Sequence, residues 1–154
     1  TYFHDSAVSL FARMKTEELS ILKYTDAGVN LYGNAILASN AMVTQNPAVV
    51  AAFLRATNRA LQETLANPLP AMAAIKQREP ILDEKLETER WRLTAQYVAA
   101  ADTQSHGLGD VRKYLLEQQV DQAAEVFGLK QRPSADGIFN RAMLPSVAER
   151  TLKA

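Results

Sequence analysis

Asn46-Pro47-Ala48-Val49-Val50-Ala51-Ala52-Phe53-Leu54-Arg55-Ala56 is the stretch on which the reading of the fold turns. Asparagine is a strong helix N-cap, proline is favoured at the first helical position, and Val50, Phe53, Leu54, Leu61 and Leu65 follow with helical spacing. The helix is predicted to stop near Asn67-Pro68, because a proline pushes its predecessor out of the helical region. Downstream the same logic continues. Pro70 to Arg78 carries Met72 and Ile75 before Pro80 ends the run, and Leu82, Leu86, Leu93 and Tyr97 space a longer helix with Asp83 and Glu84 at its positive end. Ala101 to Asp110, polar and holding Gly107 and Gly109, reads as a surface loop. Asp110 then suits the cap of a helix striped by Leu116, Val120, Ala123, Ala124 and Phe127 and closed by Gly128. Gln131 to Asp136 is a connector, and Ile138, Phe139, Met143 and Leu144 suggest a last short amphipathic turn before Pro145.

Upstream of the long helix the pattern changes. Asp5 to Lys15 reads as a short helix capped by Asp5, with Val8, Phe11 and Met14 on one stripe. Leu19 to Tyr24 fits a buried strand, and Val29 to Ser39, with Leu31, Tyr32, Ile36 and Leu37, fits a second extended segment bent at Gly33-Asn34. The fold class expected is mostly α with two short strands. It is a single domain or fragment in which residues 1–39 hold the strands and first helix and residues 40–154 the helical part. Two strands alone make a marginal sheet, so their partners are expected elsewhere. The opening Thr1-Tyr2-Phe3-His4-Asp5 looks like the middle of a fold, and an upstream half is expected.

Composition narrows the function. Of 154 residues, 47% are hydrophobic, 22% charged and 7% aromatic, which is near the globular average. Seventeen basic residues balance seventeen acidic ones, so no global field favours nucleic acid. The absence of cysteine removes thiolate metal sites, cysteine nucleophiles and disulfides from consideration. His4 and His106 lack a helical metal-ligand spacing, and structural or solvated roles are favoured for both. The carboxylates Asp83, Glu84, Glu87 and Glu89 alternate with Lys85 and Arg90, as on a solvated helix face. No serine lies in a nucleophile elbow, and Gly107-Leu108-Gly109 is too short for a dinucleotide fingerprint. No catalytic residue, metal or cofactor is expected.

Two places suit recognition of a small molecule. In Tyr32-Gly33-Asn34 a tyrosine can stack on a planar ligand, a glycine can admit close backbone, and an asparagine can donate and accept hydrogen bonds. A core tyrosine beside a bulge explains the same residues. Tyr2, His4 and Asp5, with Phe3 between them, place aromatic surface beside a carboxylate at a helix start, an edge suited to an amine or ring nitrogen; a plain N-cap at Asp5 would look the same.

These residues resemble the solute-binding receptors of ABC importers of the thiamine-pyrimidine-precursor and nitrate, sulfonate or taurine type. The resemblance runs through Tyr24-Thr25-Asp26-Ala27-Gly28-Val29-Asn30-Leu31-Tyr32-Gly33-Asn34-Ala35-Ile36-Leu37, the helix opening at Asn46-Pro47, Asn67-Pro68, Gly107-Leu108-Gly109, Phe127-Gly128-Leu129 and Phe139 to Pro145. It implies the C-terminal portion of a two-lobed α/β periplasmic-binding-protein (type II) fold, with residues 1–39 supplying the inter-lobe strands. It implies that Asp5 belongs to an aromatic-plus-acid motif lining the ligand cleft, although His4-Asp5 stands where relatives often carry tyrosine-glutamate. Tyr32-Gly33-Asn34 would re-enter the first lobe. The partners implied are a small polar or aromatic solute and a membrane permease, in a periplasmic or lipid-anchored setting. A chain with such uncovered surfaces is also expected to self-associate. Two alternatives stand beside this: a helical module dimerising through the Val50 to Leu65 stripe, and a relative of the fungal pyrimidine-precursor synthases, whose cysteine-rich motif this chain lacks.

Overall fold

The computed structural model describes residues 2–152, whose regular structure is helical. The α-helices are α1 (Ser6–Phe11), α2 (Asn40–Gln45), α3 (Pro47–Ala66), α4 (Leu69–Arg78), α5 (Glu84–Val98), α6 (Ala101–His106), α7 (Lys113–Phe127), α8 (Ala135–Ile138) and α9 (Val147–Arg150). Short 3-10 turns lie at Thr16–Glu18, Tyr24–Ala27 and Arg141–Met143.

Helix α3 starts with Pro47 in its first turn and ends at Ala66, where Asn67 turns extended (φ −149°, ψ 101°) ahead of Pro68. It packs against α2, α4, α9 and the Arg141–Met143 turn. Val50, Leu54, Leu61 and Leu65 are accordingly half-buried within the chain, whereas Phe53 stays 58% exposed. Helix α5 is capped by Asp83, whose Oδ1 accepts from the amides of Lys85 (2.9 Å) and Leu86 (3.2 Å). It lies against α1 and α4 and buries Leu93, while Trp91 is half-buried. Its carboxylates are used locally: Glu89 pairs with Arg92 at 2.7 Å and Glu87 with Arg90.

Two expectations about the loop before α7 are overturned. Residues Ala101–His106 form α6 rather than loop, ended by Gly107 at φ +85°. Asp102-Thr103-Gln104-Ser105 offers no apolar period to read. The turn is held instead by an ion pair from Asp102 to Arg112. Nor does Asp110 cap α7; Arg112 holds the N-cap position without a side-chain cap bond. The Asp110 carboxylate faces two guanidinium groups, Arg141 Nε at 2.9 Å and Arg150 Nη2 at 3.2 Å, and such charge-assisted bonds outweigh a single neutral amide. Burial works to raise the Asp110 pKa, but the Arg141 hydrogen bond, the Val111 amide and the two arginine charges prevail and hold it below the usual carboxylate range. At the far end of α7, Gly128 closes the helix in the left-handed conformation (φ 59°, ψ 40°).

Arg150, only 4% exposed, ties the C-terminal turns together. Its Nε donates to the Pro145 carbonyl (2.9 Å) and Nη1 to the carbonyls of His106 (2.9 Å) and Leu108 (3.4 Å). The Arg150 carbonyl in turn accepts from Leu108 N at 2.9 Å. Asn58 of α3 donates to the Glu149 carbonyl at 2.7 Å, which docks α9 on the long helix.

The two expected strands do not form a sheet. Among the described residues no ladder is present; Leu19 to Lys23 is irregular, Tyr24–Ala27 closes into a 3-10 turn ended by Gly28 (φ 79°), and Val29 to Ser39 runs unpaired. A strand needs a neighbour to exchange backbone hydrogen bonds with, and here neither segment has one. The first helix is also shorter than predicted, ending at Phe11 instead of Lys15. The apolar core is correspondingly thin: Ala7, Val8, Met72, Leu93, Leu108, Val120, Ala124 and Ala135. The accessible surface is 11630 Å², against roughly 7,700 Å² for a compact monomer of this mass by the usual scaling.

Candidate functional site

The N-terminal edge gathers more aromatic surface than any other part of the chain. The turn before α1 is closed by the Tyr2 carbonyl, which accepts from Asp5 N and Ala7 N, both at 3.2 Å. Ala7 and Val8 are buried and seat α1 on α5. That seating sets the His4 ring between two tyrosines, 5.7 Å from the Tyr2 ring and 5.4 Å from the Tyr97 ring of α5. Both contacts are tilted, within the range in which aromatic pairs attract. Phe3 meets Phe11 edge-on at 5.6 Å, and the Lys23 ammonium lies 5.9 Å over the Phe3 ring. Tyr2 and Tyr97 remain 56% and 55% exposed.

Asp5 occupies the N-cap position of α1, yet its side chain caps nothing. Its Oδ1 instead lies 3.3 Å from Arg90 Nε. Arg90 also reaches Ser9 Oγ at 2.8 Å and Glu87, which makes it the joint between the His4-Asp5 turn and α5. The expected plain cap is thus replaced by a half-solvated ion pair beside the rings. Arg90 and Tyr97 escaped the sequence reading. The sequence puts Tyr97 on a leucine stripe and Arg90 in a charge alternation, and only the α1–α5 packing brings them to His4 and Asp5.

Next to this edge, α1 and the start of α5 flank an open depression of about 340 Å³. Val8, Phe11, Ala12 and Leu86 line its apolar side and Asp83, Lys85 and Glu89 its charged rim. Phe11 belongs to both the depression and the aromatic edge.

Tyr32, Gly33 and Asn34 lie elsewhere. Tyr32 is held on α7: its amide donates to Gln119 Oε1 (3.0 Å), its carbonyl accepts from Gln119 Nε2 (3.3 Å), and its hydroxyl accepts from Arg112 N (2.8 Å). The carboxamide of Gln119 thereby gives Tyr32 the paired bonds a neighbouring strand would supply. The ring is half-buried and its hydroxyl is engaged by the Arg112 amide. Gly33 has negative φ or extended backbone and nothing within 4 Å of where a Cβ would stand, so no close approach requires glycine there. Asn34 is exposed. Among the described residues no hydrogen bond or ring contact joins Tyr32-Gly33-Asn34 to Tyr2, His4 and Asp5. No group of three or more metal-ligating side chains occurs among the described residues. No helix there is long and apolar enough to cross a membrane.

Comparison with known proteins bears on the same region. Residues 4–71 match the family described as NMT1/THI5 like. That span holds His4, Asp5, Tyr32, Gly33, Asn34 and α3, whereas Gly107-Leu108-Gly109, Phe127-Gly128-Leu129 and Phe139 to Pro145 fall outside it. Over 92 residues the chain is 35% identical to the riboflavin-binding protein RibY of Chloroflexus aurantiacus (strain ATCC 29366 / DSM 635 / J-10-fl), covering 52% of this chain. The chain spans 26% of the length of that relative. No solved structure matches it. Residues 4–71 therefore carry NMT1/THI5-like sequence, and part of the chain is similar to a riboflavin-binding protein.

Proposed function

We propose that this chain serves the substrate-binding component of an ABC importer, which captures a small polar or aromatic solute between two lobes and hands it to a membrane permease. The observation that carries the reading is the aromatic edge at the border of the family match: His4 and Phe11 lie within residues 4–71, and His4 stands between Tyr2 and Tyr97, which lie outside it. Exposed tyrosine rings beside an ion-paired carboxylate suit a planar solute with a polar rim. RibY is named for riboflavin, which has that character, and this supports trying flavins first. Binding would work by differential affinity: the solute favours the closed form, and the permease recognises that form. No step of bond chemistry is assigned to the chain. Its setting in this reading is the periplasm or the outer face of a membrane, held there by a lipid anchor.

A second reading has its own support. A surface of 11630 Å², far above that of a compact monomer, suits a chain completed by association. In this reading the protein self-associates whether or not a solute is bound.

The test is a thermal-melt screen of this chain and of the full product of its gene against flavins, pyrimidines, sulfonates, nitrate and aromatic acids. A ligand at a hundredfold excess over its Kd adds about 2.7 kcal/mol, a shift of roughly 5–10 °C for a protein of this size. The shift is expected to vanish in His4→Ala and Tyr97→Ala variants that still melt cooperatively. Absence of any shift in the folded full-length product would remove the importer reading for these solutes, and an unchanged shift in both variants would remove the aromatic edge from it.

A further inference from the structure

Arg90 binds three side chains, and none of them is a ring. Its Nη2 reaches Ser9 Oγ at 2.8 Å, its Nε lies 3.3 Å from Asp5 Oδ1, and its Nη1 pairs with Glu87. Among the described residues no cation–ring contact joins it to Tyr2, His4 or Tyr97. Asp5 and Ser9 stand one turn apart at the start of α1, and the guanidinium ties both to one point on α5. Helix α1 cannot set that orientation alone. It has six residues and no side-chain cap bond, well short of the roughly 12–15 residues at which a helix becomes even marginally stable by itself in water. Burial of Ala7 and Val8 holds it on α5, but apolar contact is non-directional and leaves rotation and sliding open. A planar fork bonded to three partners removes that freedom.

On α5, Arg90, Leu93, Thr94 and Tyr97 follow the i, i+3, i+4, i+7 spacing of one helix face. Leu93 is buried, and the Thr94 hydroxyl donates to the Arg90 carbonyl at 2.8 Å. Arg90 and Tyr97 are thus two turns, about 10 Å, apart on the face that meets α1. The His4-Asp5 turn spans them, with the Asp5 carboxylate at one end and the His4 ring, 5.4 Å from the Tyr97 ring, at the other. We infer that Arg90 is the positioning residue of the aromatic edge: acting through Asp5 and Ser9, it holds the His4 ring against Tyr97, and solute affinity depends on it from outside the ring stack. The dependence of affinity rests on the solute-binding reading above; the holding of the ring does not.

Both parts are read in the full product of the gene carrying Arg90→Met, which keeps the aliphatic stem and deletes the fork. With histidine and tyrosine rings isotopically labelled, a nuclear Overhauser contact between the His4 and Tyr97 rings, assigned by its loss in His4→Gln, is expected in the unaltered protein and absent in Arg90→Met. Riboflavin, followed by its fluorescence well below both melting temperatures, is expected to bind up to about tenfold more weakly, the range of one aromatic contact. A merely stabilising role would lower Tm and leave both readouts unmoved in the folded protein. Positioning also predicts non-additivity: Tyr97→Ala should weaken riboflavin binding in the unaltered background and add little in Arg90→Met. If Arg90→Met does not melt cooperatively, Arg90→Lys decides, because one ammonium keeps the charge for Asp5 without spanning Asp5, Ser9 and Glu87; it too is expected to weaken the ring contact. A ring contact missing from the unaltered protein, or persisting at full strength in the folded variant, would overturn the inference whatever binds. Loss of the contact with unchanged riboflavin affinity would overturn the dependence of affinity on Arg90. Should the unaltered protein not bind riboflavin, that dependence falls with the solute reading for flavins, while the ring contact still decides whether Arg90 positions the edge.

Discussion

Replacing Arg150 by methionine keeps most of the aliphatic stem and deletes the guanidinium, and it should be among the most damaging single changes in the chain. Arg150 donates to three carbonyls, those of Pro145, His106 and Leu108, and closes an ion pair on Asp110 at 3.2 Å. Breaking a buried charge pair by removing one member costs about 3–5 kcal/mol. The lower figure applies here, because Asp110 keeps Arg141 at 2.9 Å and the Val111 amide at 2.9 Å. The carbonyls lose donors in a place with little room for water to replace them, since Gly107, Leu108 and Pro145 are all buried. A loss of about 3 kcal/mol is a large part of the 5–15 kcal/mol that holds a typical domain together, and corresponds to roughly 6–12 °C in Tm at this chain length. Urea titration and thermal melts followed by circular dichroism measure it directly. Arg150→Lys should fall between, because one ammonium cannot reach four acceptors spread around a planar fork. A loss below about 1 kcal/mol in Arg150→Met would show that the C-terminal turns are not held by this side chain.

The other expectations concern the same clasp and the Tyr32 anchor. Since the folded pKa of Asp110 lies below the usual value, its contribution is present at neutral pH and is lost as pH falls below the ordinary carboxylate range of about 4; acid melts should show this limb, and Asp110→Asn should flatten it while lowering Tm at pH 7. Gly107→Ala should destabilise by more than about 1 kcal/mol in the same melts, because φ is +85° and a Cβ would stand 3.0 Å from the Arg150 side chain. Gln119→Ala removes both bonds that hold the Tyr32 backbone, and faster hydrogen exchange at the Tyr32 amide, by about tenfold for a bond worth some 1.4 kcal/mol, is the expected result; unchanged exchange would mean that the segment is pinned by Arg112 N alone.

Much of the helical framework was legible from residue order alone, because its signals are local. Pro47 and Pro68 bracket α3, Pro80 follows α4, Asp83 caps α5 and Gly128 closes α7, each through the geometry of one or two residues. The seeming cap at Asp110 and the seeming strand at Leu19 to Tyr24 misled for the opposite reason. What a carboxylate or an extended run does depends on a partner distant in sequence, Arg141 and Arg150 in one case and a missing neighbour strand in the other. The candidate site divides the same way. Sequence could nominate His4 and Asp5 as aromatic-plus-acid and Tyr32 as a polar-tipped ring, since side-chain chemistry is a local property. Only tertiary packing could put Tyr97 and Arg90 of α5 beside the first pair and send Tyr32 to Gln119 of α7, because those meetings span more than eighty residues of chain and are set by which helix faces find burial.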